Sequence, residues 1–185
     1  MKKTPVLVLG GPTAVGKGTV VERLRSLFPQ VSVSISATTR PSRQGEIDGI
    51  HYFFVDDTKF EEMVKDNEFL EWATVHGAAK YGTPRAYVEE QRQSGKPVIL
   101  EIDLEGVRQV RKTLPDALFV FLEPPSWEEL ERRLIGRGTE GPEERERRLQ
   151  TARIEMAARD EFDVCVTNDN IDDTVRELAD LMGLS

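Results

Sequence analysis

The feature that most limits what this chain can fold into is a nine-residue stretch, Gly11-Pro12-Thr13-Ala14-Val15-Gly16-Lys17-Gly18-Thr19. Residues 5–9 before it form a valine-rich run without the alternation of a half-exposed strand. Residues 19–28 after it bring Val20, Leu24 and Leu27 to one side of a helix. A buried strand, a glycine loop and a helix in that order predict a phosphate-binding unit. The glycines let successive backbone N–H groups turn inward around phosphate oxygens, and the helix directs its positive end at them. Lys17 stands at the last place of G-x-x-x-x-G-K, where its charge reaches β- and γ-phosphates. A glycine turn that merely packs would need neither the lysine nor this context. Gly11, Pro12, Thr13, Ala14, Val15, Gly16, Lys17, Gly18 and Thr19 are therefore candidate contacts to nucleotide phosphates. The strict motif continues with a hydroxyl, but Gly18 follows the lysine and Thr19 comes one place later. Mg²⁺ is accordingly expected to be held mainly by phosphates and water, with Thr19 a weaker candidate ligand.

The same alternation continues along the chain. Residues 31–35, 96–102, 117–122 and 163–167 read as further strands, and residues 104–112, 127–135, 143–159 and 171–182 as helices. This predicts an α/β fold, a P-loop NTPase-type parallel sheet with helices on both faces. With 185 residues, one domain is expected, its core formed by residues 1–35, 95–125 and 160–185. Two segments interrupt the pattern. Residues 36–94 form an insert with short strands expected at 51–55 and 69–75. Residues 126–159 form a small lid with flanking helices around Arg137-Gly138-Thr139-Glu140-Gly141-Pro142. Inserts at the carboxyl ends of parallel strands are where ligands sit in such sheets.

Composition narrows the function. Twenty-five Lys and Arg against 33 Asp and Glu give a formal net charge of -8, which argues against a general nucleic-acid binder. Small phosphate ligands need only a local cationic cluster. The lone Cys165 excludes an internal disulfide or a cysteine metal cage and reads as a small buried hydrophobe. No run approaches the roughly 18 apolar residues of a membrane span, and the apolar run after Lys2 and Lys3 is too short for a signal-peptide core. The expectation is a cytoplasmic protein with no membrane, nucleic-acid or obligate protein partner.

A second anion site is suggested by Ser36-Ala37-Thr38-Thr39-Arg40-Pro41-Ser42-Arg43. Pro41 opposes a helix for the residue before it, and two guanidinium groups on a stiff loop can clamp a phosphate. Tyr52 and Tyr81 could add hydroxyl donors. From these residues alone a solvated basic loop is equally consistent. The order of motifs decides more. The phosphate loop, Ser-x-x-Thr-Arg-x-x-Arg, Gly45-Glu46-Ile47-Asp48-Gly49 with Tyr52-Phe53-Phe54, Phe69-Leu70-Glu71-Trp72, Tyr81-Gly82-Thr83, Glu101-Ile102-Asp103, Arg137-Gly138-Thr139-Glu140 and Asn168-Asp169 succeed one another along nearly the whole chain. In this the chain resembles the guanylate kinase family. The resemblance implies phosphoryl transfer from ATP to GMP or dGMP, giving ADP and GDP or dGDP, in purine nucleotide metabolism.

It also implies roles. Residues 36–94 become the GMP-binding insert, in which Arg40, Arg43, Tyr52 and Tyr81 hold the GMP phosphate. Guanine presents an N2 donor and an O6 acceptor, with N1–H between them. Glu71 accepts from N1 and N2, Ser36 and Thr83 donate to O6, and Asp103 accepts from the amino group. Adenine would set an acceptor against Glu71, and such polar sites reject the wrong partner by as much as about 10⁴-fold. Read without the family, Glu71 is a polar residue on a half-buried strand, and Glu101 and Asp103 are carboxylates ending a core strand. Thr83 stands where some relatives have serine, and Glu105 where a glutamine is common. Between Ser126 and Asp160 are eight arginines and nine acidic residues. Arg132, Arg145 and Arg147 read as a solvated face. Arg133, Arg137 and Arg148 match residues that close over the transferring phosphoryl group, where positioned cations supply most of the catalysis. With Lys17 and Arg40 they form the expected catalytic set. Arg133, Arg137 and Asn168 are further expected ATP contacts, Asn168 near the adenine ring. Gly136, Gly138 and Gly141 would let the lid close and exclude water.

Two rival readings are a non-catalytic peptide-binding module of the same family and a kinase of the same fold with another phosphorylated acceptor. The first would not retain Gly16, Lys17, Arg40, Arg43, Arg137 and Arg148. The second would not need Ser36, Glu71, Thr83 and Asp103 together.

Overall fold

In the computed structural model, which describes residues 4–75, 77–136 and 140–184, strand β1 (Val6–Gly10) is buried at every position. It lies at the centre of a five-stranded sheet in which every pairing is parallel. The order is β2 (Ser32–Val33), β7 (Val98–Glu101), β1, β8 (Leu118–Glu123) and β9 (Val164–Thr167). Val6 and Val8 point to one face, packing with Leu100, Val107, Val110 and Phe119. Leu7 and Leu9 point to the other, with Val20, Leu24, Leu130, Val175 and Leu178. Burial on both sides is why the strand is apolar without alternation. On the Leu7 face lie α1 (Lys17–Leu27), α5 (Trp127–Ile135), α6 (Pro142–Ala157) and α7 (Ile171–Leu181). On the Val6 face lie α3 (Arg85–Gln93) and α4 (Leu104–Thr113). No helix among the described residues is long and apolar enough to cross a membrane.

Residues 36–94 carry a second sheet, ordered β4 (Phe53–Phe54), β3 (Ala37–Thr38), β6 (Ala79–Pro84) and β5 (Phe69–Val75). Its own small core joins Ala37 and Phe69 to Phe60 of α2 (Asp57–Lys65). The sequence pattern did not reveal β6, because Gly82 and Pro84 read as breakers. Yet β6 is central in this sheet, and a Cβ at Gly82 would lie 2.7 Å from the Phe69 ring. The short charged helices α2 and α3 also escaped the pattern. Phe60 is the one buried residue of α2, and Val88 the one buried apolar residue of α3, too few to give a period.

Two details attach the insert to the core. Between Phe69 and Glu71 the β5–β6 register shifts, so that Phe69 faces Pro84 and Glu71 faces Thr83. This bulge lets Leu70 enter the main core while Glu71 turns toward β6. Gln109 of α4 then behaves like a strand edge: it accepts from the Trp72 N–H at 3.0 Å and donates to the Trp72 carbonyl at 2.9 Å.

Candidate active site

Because the core sheet is parallel, β1, β7, β8 and β9 all end on one edge, with Leu9 beside Glu101 and Gly10 beside Phe121. The glycine loop crosses that edge. Gly11 has φ +148°, and a Cβ there would lie 2.4 Å from the Leu122 carbonyl oxygen. Gly16, with φ +100°, precedes α1, and its Cβ would lie 2.9 Å from Asn168 Nδ2. Neither position admits a side chain without rearrangement.

Other elements hold the loop from outside. Asn168 Nδ2 donates to the Val15 carbonyl at 2.9 Å, and its Oδ1 accepts from the Thr174 hydroxyl at 3.0 Å. The residue expected beside adenine thus has both ends of its amide engaged within the protein, bracing the loop. Arg133 Nη1 donates to the same carbonyl at 3.3 Å, and its Nε pairs with Glu129 at 3.3 Å. Glu155 of α6, which sequence reasoning missed, accepts from both the N–H and the hydroxyl of Thr13 at 3.3 Å. Lys17 Nζ donates to the Gly11 carbonyl at 2.7 Å. Burial pushes its pKa down, opposed by the charges of Glu155, Glu101 and Asp103.

Arg148 of α6 pairs with Glu140, which raises the pKa of the arginine and lowers that of the acid. Arg148 and Thr13 line a common cavity of about 160 Å³. Arg137, Gly138 and Thr139 lie outside the described residues. Arg132 and Arg147 are exposed and pair with Glu129 and Glu144 on their own helices, as a solvated face should.

A pocket of carboxylates forms where β5, β6 and α4 meet. The Thr83 hydroxyl donates to Glu71 Oε1 at 2.7 Å. Asp103 caps α4, accepting the Gly106 N–H at 2.8 Å. A Cβ on Gly106 would lie 3.2 Å from both Glu71 Oε2 and Asp103 Oδ1, so both acids converge on this glycine. Burial pushes the Glu71 pKa up, the Thr83 hydrogen bond opposes that, and Asp103 adds to it. Ala37 pairs with Gly82, and continuing that antiparallel register by one residue sets Ser36 beside Thr83.

Two residues back along β6, on the same face, Tyr81 accepts from Arg40 Nε at 3.3 Å. Tyr52 lies 6.1 Å from Tyr81 between ring centroids, and the Arg40 guanidinium sits 5.2 Å above the Tyr52 ring. Arg40 is also paired through both terminal nitrogens with Glu46. Arg43 is exposed nearby, and its charge helps to lower the Glu46 pKa. Ser36, Arg40, Tyr52, Glu71, Tyr81, Thr83 and Asp103 therefore come together from four strands or their flanks and one helix cap.

Among the described residues no group of three His, Cys, Asp or Glu could hold a metal ion by itself. A Cβ at Gly18 would lie 3.8 Å from Glu101 Oε1, so the position without a hydroxyl faces a carboxylate. Partial burial pushes the Glu101 pKa up, and Lys17 opposes it. Thr19 is exposed and shares a surface depression with Glu22, Arg23 and Ser26. Glu105, the departure noted in the sequence, pairs with Arg108 at 2.9 Å on the exposed surface of α4.

A parallel α/β core, a phosphate loop at its carboxyl edge and an inserted sheet lined with cations and carboxylates define a P-loop kinase. The guanylate kinase family model matches residues 2–184, and the chain belongs to the guanylate kinase family. It is 54% identical over 181 residues to the guanylate kinase of Leifsonia xyli subsp. xyli, covering 98% of this chain and 71% of that one. It is 57% identical over 175 residues to the guanylate kinase of Thermobifida fusca, covering 95% and 89%. The crystal structure of guanylate kinase from Anaplasma phagocytophilum superposes with a TM-score of 0.71 at 29% identity, covering 98% of this chain and 85% of that one.

Proposed function

We infer that this protein transfers the γ-phosphoryl group of ATP to GMP, and to dGMP, giving ADP and GDP or dGDP. The observation that carries the reading is the convergence of Glu71, Thr83 and Asp103 two residues along β6 from Tyr81 and Arg40. One face of that strand thereby offers guanine-type hydrogen bonding and an anion clamp at adjacent positions. Glu71 accepts from guanine N1–H and N2–H, Asp103 accepts from the amino group, and Thr83 with Ser36 addresses O6. Arg40, Arg43, Tyr52 and Tyr81 hold the phosphate.

Gly11 to Thr19 cradle the ATP phosphates through backbone N–H groups, with Lys17 against the β- and γ-phosphates. For this, Lys17 exchanges its bond to the Gly11 carbonyl for phosphate oxygens. Asn168 and Arg133 serve ATP by holding the loop, and Arg137 and Arg148 complete the cationic lid. An oxygen of the GMP phosphate attacks the γ-phosphorus as the bond to the β,γ-bridging oxygen breaks, and ADP leaves with that electron pair. The attacking oxygen is already ionised, so no general base is required. Catalysis consists of alignment and of cations matched to charge on the transferring group. A divalent ion, Mg²⁺ in our reading, would neutralise phosphate charge; Glu101 would hold it through water, with Thr19 a weaker contact. Residues 36–94 act as the GMP-binding insert, residues 126–159 as the lid, and the substrates are those of the cytoplasm.

The test is ADP release from ATP and Mg²⁺ in the presence of each nucleoside monophosphate. Turnover is expected with GMP and dGMP, and little with AMP, CMP or UMP. Equal rates on all of them would remove the base-pocket assignment.

A further inference from the structure

Residues 45–49, Gly-Glu-Ile-Asp-Gly, belong to the motif order of the sequence, yet the proposed reaction gives them no task. Within them Glu46 is tied directly to the phosphate clamp. Its Oε1 and Oε2 accept from Arg40 Nη1 and Nη2 at 2.8 and 2.9 Å, and Oε1 also accepts the Arg43 backbone N–H at 2.7 Å. The Glu46 N–H donates back to the Arg43 carbonyl at 3.0 Å, so residues 43–46 close into a turn. Arg40 is further fixed by the Pro41 carbonyl at 2.9 Å and by Tyr81. The loop beyond is also tied: Asp48 Oδ1 accepts the Phe54 N–H at 2.8 Å, and the Gly49 N–H donates to the Tyr52 carbonyl at 2.7 Å.

An arginine side chain has many rotamers to lose, so a clamp of two free arginines must order both when phosphate arrives. Two guanidinium groups near one point also repel each other. A carboxylate bonded to both nitrogens of Arg40 answers each problem before any ligand binds. The side chains of Arg40 and Glu46 are only 13% and 19% exposed, so this is a withdrawn, two-point pair rather than a solvated surface contact. Its bonds hold the Glu46 pKa down at about 2, which keeps the carboxylate charged.

We propose that Glu46 is a positioning residue of the acceptor-phosphate site, holding Arg40 against Tyr52 and Tyr81 and shaping the 43–46 turn so that Arg40 and Arg43 address one phosphate. This rests on the reading of that site as the GMP site. The same contacts would have the opposite consequence if Glu46 competed with phosphate for Arg40, because its removal would then tighten binding.

Guanosine, which has the base but no phosphate, separates the possibilities. In Glu46→Gln, the dissociation constant of GMP is expected to rise about tenfold or more, with guanosine binding and the ATP KM nearly unchanged. Glu46→Asp, which keeps the charge on a shorter arm, should fall between that variant and the parent. If the glutamine variant does not fold, the aspartate variant carries the same GMP-against-guanosine comparison. Unchanged or tighter GMP binding would overturn the proposal, as would equal losses for GMP and guanosine. A parent enzyme that bound neither would refute the acceptor assignment itself, and the proposal with it.

Discussion

The proposed donor loop occupies nine consecutive residues, Gly11 to Thr19, whereas the proposed acceptor site gathers Arg40, Tyr52, Glu71, Tyr81, Thr83 and Asp103 from separate elements. The first works through its backbone. Its shape depends on what is missing, because a Cβ at Gly11 would strike the Leu122 carbonyl and one at Gly16 would crowd Asn168. The second works through side chains whose aim is set by a bulge in β5, the cap of α4 and the Glu46 contact. A backbone cradle recognises phosphate and says little about which nucleotide carries it. Recognition of one base requires side chains fixed in direction, and here these stand on a sheet with its own small core. The division implies that turnover and substrate choice respond to different substitutions.

The largest expected effect is in the donor loop. Lys17→Ala should lower turnover by about 10³-fold, the scale of removing one preorganised charge-stabilising group. The fold should survive, since burial already disfavours the lysine charge; circular dichroism and thermal unfolding check this. Turnover within tenfold of the parent would break the comparison.

Glu71→Gln should act on the other side, raising the GMP KM by about 10²-fold while the ATP KM stays nearly constant in steady-state kinetics. It also has a stability sign. Burial raises the Glu71 pKa above its unfolded value, so its contribution to stability is present below the unfolded pKa and lost as pH rises through the folded one. At neutral pH its ionisation is a cost that glutamine removes. The variant should therefore melt above the parent at pH 7, and the gap should close as pH falls toward about 4. A gap that widened on acidification would reverse the burial argument.

The smallest effect is expected at Gly18→Ser. A Cβ there meets Glu101 Oε1 at an ordinary 3.8 Å, and helix propensity favours serine by about 0.5 kcal/mol. Stability should rise slightly in denaturant titration while turnover changes little. A large fall in the Mg²⁺ requirement would instead identify residue 18 as the place of a missing metal ligand.

The core was legible because each of its parts is local. Residues 127–135 were read with the bounds that α5 takes, as were residues 69–75 of the insert with β5, and the core strands and other long helices differ from their reading by a few residues at the ends. By contrast, β6 was hidden by Gly82 and Pro84, residues demanded by packing against Phe69 and by the strand's end. Arg40 and Arg43 were visible as a pair, but Glu46, three residues beyond Arg43, was passed over although its spacing allowed a turn closing on the pair. Glu155 left no local signal, standing among nine acidic residues between 126 and 160, and only the packing of α6 selects it for Thr13.

The sequence by itself determined the phosphate loop, the parallel α/β core and the family, since glycine spacing, apolar periodicity and motif order are properties of neighbouring residues. Only the tertiary structure decided which carboxylates meet which cations. Glu71 faces Thr83 through a shifted register, Glu46 holds Arg40, and Asn168 braces Val15. The energy of such a contact depends on distance and burial, and neither exists until remote parts of the chain have packed together.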